Sequence, residues 1–242
     1  MKNKNPDPVD ITGVLLVNKP KGKTSFFLVS LLRRLYKVRT IGHAGTLDPF
    51  ATGVMVLLIG KSCTRLSDRF LHQDKEYLAT LHLGICTDSY DCDGKVQETS
   101  SFIPSLSLLE QVIDSFQGTI KQIPPMFSAK KVQGKKLYEL ARQGIEIERQ
   151  PQEVTVQIEL LSYVYPFVEI RVASSKGTYI RSLANDIGQA LGCYAHLSAL
   201  CRTRSGPFLL KDCVDGSMLQ DPSCLSNLKL LSPQEIISST TL

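Results

Sequence analysis

Short strand-like runs and amphipathic helical stretches follow one another along this chain without a regular strand–helix–strand rhythm. That irregularity argues against a doubly wound parallel sheet. It predicts an α+β fold, a mixed, largely antiparallel sheet flanked by helices. Residues 13–17 form an apolar strand that ends in the turn Lys19-Pro20-Lys21-Gly22. Residues 54–59 read as a buried strand, and 77–84 alternates like a half-buried one. Residues 154–161 and 168–174 read as neighbouring strands, and 197–203 as another. Thr24 or Ser25 is placed to cap a helix reaching Tyr36, with Leu28, Leu31, Leu32 and Leu35 on one face. Ser107-x-x-Glu110 has the form of a capping box and predicts a helix through Phe116, stopped at Gly118. A short helix is expected over 136–143, with Gly144 as its C-cap. A last helix is expected from a Thr178 cap to Leu191, with Ile180, Leu183 and Ile187 inward.

The composition is that of a globular chain: 43% hydrophobic and 21% charged over 242 residues. The longest apolar run, 54–59, is far short of the roughly 18 residues that a membrane span needs. The N-terminus has lysines but no apolar core of a secretory signal, which predicts a cytoplasmic protein. The 7 cysteines are odd in number and scattered, with no CxxC, which suits reduced packing residues. The net charge of +5 is unevenly placed. Residues 1–50 hold nine Lys and Arg against three Asp, and 121–150 hold seven against three Glu. Such segments face a polyanion or are solvated surface; charge alone does not choose.

Several familiar signals fail on spacing. Gly22-Lys23-Thr24 and Gly60-Lys61-Ser62 end like phosphate loops, but the required earlier glycine is replaced by Val17 and Met55. Asp88, Asp91, Asp93 and Gly94 resemble a calcium loop, yet its first and twelfth positions would be Ser89 and Ser100. An acidic turn capping backbone amides fits better. The histidines His43, His72, His82 and His196 show no i, i+4 pairing for a metal. No metal or cofactor is signalled.

The informative segment is the glycine-rich loop 39–53, RTIGHAGTLDPFATG. Asp48 sits between Leu47 and Pro49, and the proline holds it in extended geometry. A lone carboxylate in a stiff loop reads by itself as a turn former. Its company changes that: Tyr77 opens a strand, and Tyr179 and Arg181 stand at the start of a helix. An acid, a cation and aromatics suit a flat, polar base turned out of its stack.

Four stretches resemble the TruB family of tRNA pseudouridine synthases. They are GVLLVNKPKGKTS at 13–25, GHAGTLDP at 42–49 followed by ATG at 51–53, KEY at 75–77 with Gly84, Thr87 and Asp88, and SKGTYIR at 175–181 continuing to Leu197, Leu200, Arg202 and Gly206. The family usually has Asp where this chain has Asn18, and that position is expected in a turn away from Asp48. The resemblance implies that uridine 55 in the T-loop of tRNA is isomerised to pseudouridine, without cofactor. It gives Asp48 the position beneath ribose C1′, Arg181 the role of its countercharge, and Tyr77 stacking and proton transfer. Tyr179 orients the site, Leu200 lines an apolar wall, His43 touches RNA near the extruded base, and Lys19 supports the loop. Lys130, Lys131, Lys135 and Lys136 fall in the family's mobile RNA-gripping loop.

The domain expectation is a flexible tail at 1–12, a catalytic domain at 13–208 with 121–150 as the RNA-gripping insertion, and a short extension at 209–242. That extension is acidic and proline-punctuated, and is expected to cover the catalytic domain without forming a complete PUA domain. The partner implied is the T-arm stem-loop of tRNA, bound by a monomer with no membrane and no obligatory protein partner. Two alternatives stand beside this: a non-catalytic tRNA-folding helper, which would not need Asp48, Tyr77 and Arg181, and the catalytic subunit of a guide-RNA-dependent synthase, which would carry more chain.

Overall fold

Thr24 accepts a hydrogen bond from the backbone N–H of Phe27 and opens the first helix, where Leu28, Leu31 and Leu32 turn inward. The computed structural model describes residues 11–132, 134–223, 228–232 and 235. The chain begins with strand β1 (Gly13–Lys19), helix α1 (Ser25–Tyr36), β2 (Ile41–Ala44), β3 (Thr52–Ile59) and the short helices α2 (Lys61–Thr64) and α3 (Ser67–Leu71). It continues with β4 (Lys75–Leu83), β5 (Ile85–Thr87), β6 (Val96–Thr99), α4 (Leu106–Ser115), β7 (Gly118–Gln122), β8 (Lys131–Val132), β9 (Lys135–Lys136) and α5 (Leu137–Ala141). Then come β10 (Gln152–Val164), β11 (Phe167–Ser174), α6 (Ile180–Ala190), β12 (Ala195–Ser205), β13 (Phe208–Leu209) and β14 (Val214–Asp215).

The contacts divide the chain into two compact units, Met1–Gln73 with Cys201–Leu242, and Asp74–Leu200. In the first unit β3 pairs antiparallel with both β1 and β2, while β14 joins β1 in parallel. The C-terminal part of β12 runs parallel to β3 through Cys201 opposite Thr52 and Arg202 opposite Gly53. Gly53 has a φ of +106°, and a Cβ there would collide with the backbone of Arg202, so only glycine lets the strands meet. Val14, Leu16, Val54, Val56 and Leu58 from β1 and β3 form the core with Ala44, Phe70 and Phe208. The described part of the C-terminal extension adds an irregular cover. Leu210, Cys213 and Leu231 pack on that core, and Leu231 exchanges backbone hydrogen bonds with Val14.

In the second unit β11 pairs antiparallel with β4 on one side and β10 on the other, and β7 extends β10. Alternation decides the faces. Tyr77, Ala79, Leu81 and Leu83 of β4, Val168, Ile170 and Val172 of β11, and Val154, Val156 and Ile158 of β10 are buried. The buried helix residues include Leu109 and Ile113 of α4 and Leu183 and Ile187 of α6. Within the basic insertion, β8 and β9 make a small hairpin, and Met126, Leu137 and Leu140 gather a core of their own. The fold is therefore mixed α+β, with mostly antiparallel pairing as expected.

Three local expectations are corrected. Ser105, not Ser107, caps α4 by accepting from the N–H of Leu108, because an apolar Leu106 enters the first turn. Thr178 does not cap α6; its hydroxyl donates to the Ser175 carbonyl, and the helix starts at Ile180. The loop 39–53 is not loop throughout, since 41–44 is strand β2. The expected N-terminal tail lies almost wholly outside the described residues, as does Cys224 with part of the C-terminal extension. No described helix is long and apolar enough to cross a membrane.

Candidate active site

Asp48 is held by fixing the residues on each side of it. Ser25, buried at the start of α1, donates its hydroxyl to the Leu47 carbonyl and accepts from the Leu47 N–H, both at 2.9 Å. On the other side the Pro49 carbonyl accepts from the Gly22 N–H at 2.8 Å and from the Lys19 ammonium at 3.1 Å. Lys19 also donates to the carbonyls of Pro20 and Lys23. These bonds staple the Lys19-Pro20 turn to the Asp48 loop. This lysine is fully buried. Desolvation pulls its pKa down to about 8, with Asp48 acting to raise it and Arg202 to lower it.

Arg202 is the second buried cation of this unit, 1% exposed. Its Nε donates to the Val54 carbonyl at 2.7 Å and an Nη to the Gly45 carbonyl at 3.1 Å. It therefore grips the loop upstream of Asp48 and the strand downstream of it. His43, on β2, has its Nδ1 buried with no hydrogen-bond partner. Burial, reinforced by Arg202, pushes its pKa down from the ordinary imidazole value. Asn18 lies in β1, not in a turn. Its Oδ1 accepts from the Gly53 N–H at 3.0 Å, a bond that an aspartate could also accept.

In the second unit Arg181 sits in the first turn of α6 and is 5% exposed. Its Nη1 donates to the Ser89 carbonyl at 3.1 Å and lies 3.4 Å from the Asp91 carboxylate, while Nη2 donates to the Phe127 carbonyl at 2.7 Å. Both ion-pair partners are buried, so removing either would strand a charge. The acidic turn supplies this carboxylate. Asp91 also accepts from the Ser89 hydroxyl and the Asp93 N–H, and Asp88 accepts from the Lys95 N–H. Amide capping at this turn was legible; the pairing of Asp91 with a residue some ninety positions later was not.

Tyr77 and Leu200 are each 7% exposed and belong to this second unit. Tyr179 is the N-cap residue of α6 and half-buried. The insertion lysines do not all stand alike. Lys131 and Lys136 face each other across the hairpin, and Lys131 and Lys135 are exposed. Lys136 is tied to Glu139 at 3.6 Å and to the Tyr138 hydroxyl, bonds that raise its pKa. Among the described residues no group of three or more His, Cys, Asp or Glu side chains is placed to hold a metal ion.

Residues 33–180 match the model of the TruB family pseudouridylate synthase N-terminal domain, and 181–232 match the tRNA pseudouridylate synthase B C-terminal domain. The chain belongs to the TruB family. A relative named tRNA pseudouridine synthase B, from Protochlamydia amoebophila (strain UWE25), is 61% identical over 210 residues, covering 87% of this chain and 80% of its own. Another of that name, from Chlamydia trachomatis serovar L2, is 58% identical over 212 residues, covering 88% of each. Among solved structures, the chain matches one in a Cbf5-Nop10-Gar1 complex with a TM-score of 0.68 and 30% identity. That match covers 90% of this chain and 57% of the other, so the chain spans little more than half of that protein. The TruB chain is accordingly an isomerase of the pseudouridine synthase fold.

Proposed function

We propose that this TruB enzyme converts uridine 55 in the T-loop of tRNA to pseudouridine. The reaction breaks the bond from ribose C1′ to uracil N1, turns the base, and forms the C1′–C5 bond. The proton on C5 is then lost and N1 gains one, so nothing is oxidised or reduced. Positive charge develops on the sugar as the first bond breaks, which is the same demand that glycosidases meet with a carboxylate. Asp48 is assigned that role. A loop nucleotide is unstacked at less cost than a paired one, which suits a hairpin substrate.

The observation that supports this reading is the double anchoring of the Asp48 loop, by Ser25 at Leu47 and by Lys19 and Gly22 at Pro49. A carboxylate that must meet a developing charge needs its aim fixed before substrate arrives. In this reading Tyr77 offers its ring to the uracil and its hydroxyl for proton transfer, Arg181 supplies the positive charge that an ionised aspartate requires, and Tyr179 and Leu200 shape the surroundings. His43 contacts the RNA through its ring nitrogens. Lys130 and Lys131, with Lys135, grip phosphates. The enzyme acts alone, as a monomer, in the cytoplasm.

The test is incubation of the purified protein with unmodified tRNA transcript and with an isolated T-arm stem-loop, followed by mapping of pseudouridine. Modification of both at the T-loop position is expected. No pseudouridine in either RNA would refute the reading.

A further inference from the structure

The basic insertion begins where β7 ends, and the last residue of β7 is Gln122, 2% exposed. Its Nε2 donates to the Tyr179 carbonyl at 3.0 Å, and its Oε1 accepts from the Tyr179 N–H at 2.8 Å. One side-chain amide thus satisfies both backbone groups of one residue, as a neighbouring strand would. The Tyr179 N–H is a helix-start donor that no intrahelical carbonyl takes, and α6 has no capping side chain of its own.

Two further bonds follow downstream of both residues. The Ser182 hydroxyl donates to the Ile123 carbonyl at 3.0 Å, and Arg181 donates to the Phe127 carbonyl at 2.7 Å. Residues 122, 123 and 127 at the head of the insertion are therefore bonded to residues 179, 182 and 181 at the head of α6. Arg181 also bonds to the Ser89 carbonyl and pairs with Asp91 in the acidic turn. A shift of the insertion root that moved the Phe127 carbonyl would re-aim the guanidinium.

We infer that Gln122 is a positioning residue that locks the root of the basic insertion to Tyr179 and Arg181, so that RNA grip by the insertion and the aim of Arg181 are set together. This rests on the proposed roles of Arg181 and of the insertion lysines. An amide that only fills backbone valences would stabilise the fold without linking those two functions. The two cases differ in whether grip and chemistry are coupled.

The experiment uses the full chain with Gln122→Met, which keeps length and loses the amide, and Gln122→Glu, which keeps the shape and an acceptor for the Tyr179 N–H. Each is made alone and combined with alanine at Lys130, Lys131, Lys135 and Lys136. Single-turnover pseudouridine formation is measured at saturating T-arm RNA, alongside RNA affinity and thermal stability. Gln122→Met is expected to slow the chemical step about tenfold with affinity unchanged, since a displaced Arg181 costs transition-state stabilisation and not grip. The lysine replacement is expected to slow the same step in the wild-type background and not further in the Gln122→Met background. Gln122→Glu should fall between wild type and Gln122→Met. Multiplying losses, or a Gln122→Met enzyme as fast as wild type, would overturn the inference. If Gln122→Met does not fold, the Gln122→Glu pair decides by the same criterion. A wild-type protein that makes no pseudouridine refutes the proposed function instead, so the two failures are distinct.

Discussion

The buried ammonium of Lys19 donates to the carbonyl of Pro49, the residue after Asp48, at 3.1 Å. The cation is thus placed on the backbone of the loop and within electrostatic reach of its carboxylate. Burial brings its pKa to about 8, so the charge that accompanies Asp48 is lost just above neutral pH.

That titration predicts an alkaline limb. Pseudouridine formation by the wild-type enzyme should fall as pH rises through about 8. Lys19→Met should be slower throughout and lack the limb, because nothing remains to titrate. Stability runs the other way. The unfolded lysine holds its proton up to its ordinary value of 10.5, so between about 8 and 10.5 the unfolded state binds more protons than the folded one. The Lys19 contribution therefore makes the fold more stable as pH rises across that window, and this increment vanishes in Lys19→Met. Rate and denaturation profiles against pH check both statements. A limb of unchanged midpoint in Lys19→Met would remove Lys19 from the explanation.

Asp48→Asn should abolish pseudouridine formation while T-arm RNA still binds. The amide keeps the shape, and the loop anchors at Leu47 and Pro49 use backbone atoms that the substitution leaves alone. Product mapping together with a binding isotherm tests it; full activity in the purified variant would end the assignment.

Arg202→Met should destabilise the protein by about 3 kcal/mol or more, since the carbonyls of Gly45 and Val54 lose a buried charged donor. Where the variant remains folded, removing this neighbour should raise the pKa of His43 toward the ordinary imidazole value, because Arg202 is one of the two causes that depress it. Ring-proton NMR against pH reads that shift. A pKa of His43 that stays put would mean that burial alone depresses it.

Alanine at Lys130, Lys131, Lys135 and Lys136 should weaken tRNA binding and flatten its salt dependence. Each phosphate contact contributes about 0.7 to 0.9 to the slope of log affinity on log salt. Lys136 is already occupied by Glu139 and Tyr138, so the loss is expected to come chiefly from the other three. An unchanged slope would leave these lysines as solvated surface.

The parts of this molecule that sequence makes legible are those written locally. The α1 cap at Thr24, the alternation in β4 and the antiparallel pair β10 and β11 follow from periods of 3.6 and 2 and from one capping side chain. Cap positions are less legible, because serine and threonine next to a helix start offer several equivalent choices. Ser105 won over Ser107, and Thr178 turned back to Ser175. At the site, a family motif pointed to Asp48, Arg181 and Lys19. It carried no sign of Asp91 against Arg181, of Ser25 around Leu47, or of Arg202 between Gly45 and Val54. Those bonds join residues tens of positions apart, where no periodicity reports a partner. A buried arginine, glutamine or serine announces itself only once the backbone that surrounds it is known.

The small core of the insertion, Met126 with Leu137 and Leu140, bears on what RNA binding costs. A bare basic loop would surrender backbone freedom on meeting phosphates, at about 1–2 kcal/mol for each residue fixed. Here much of that entropy is already spent when the chain folds, because the hairpin and α5 are tied down by apolar contact. In the proposed function the lysines meet the RNA from an ordered platform. More of their electrostatic attraction is then left as affinity, and an apolar-to-polar change at Leu137 would weaken RNA binding without touching a single charge.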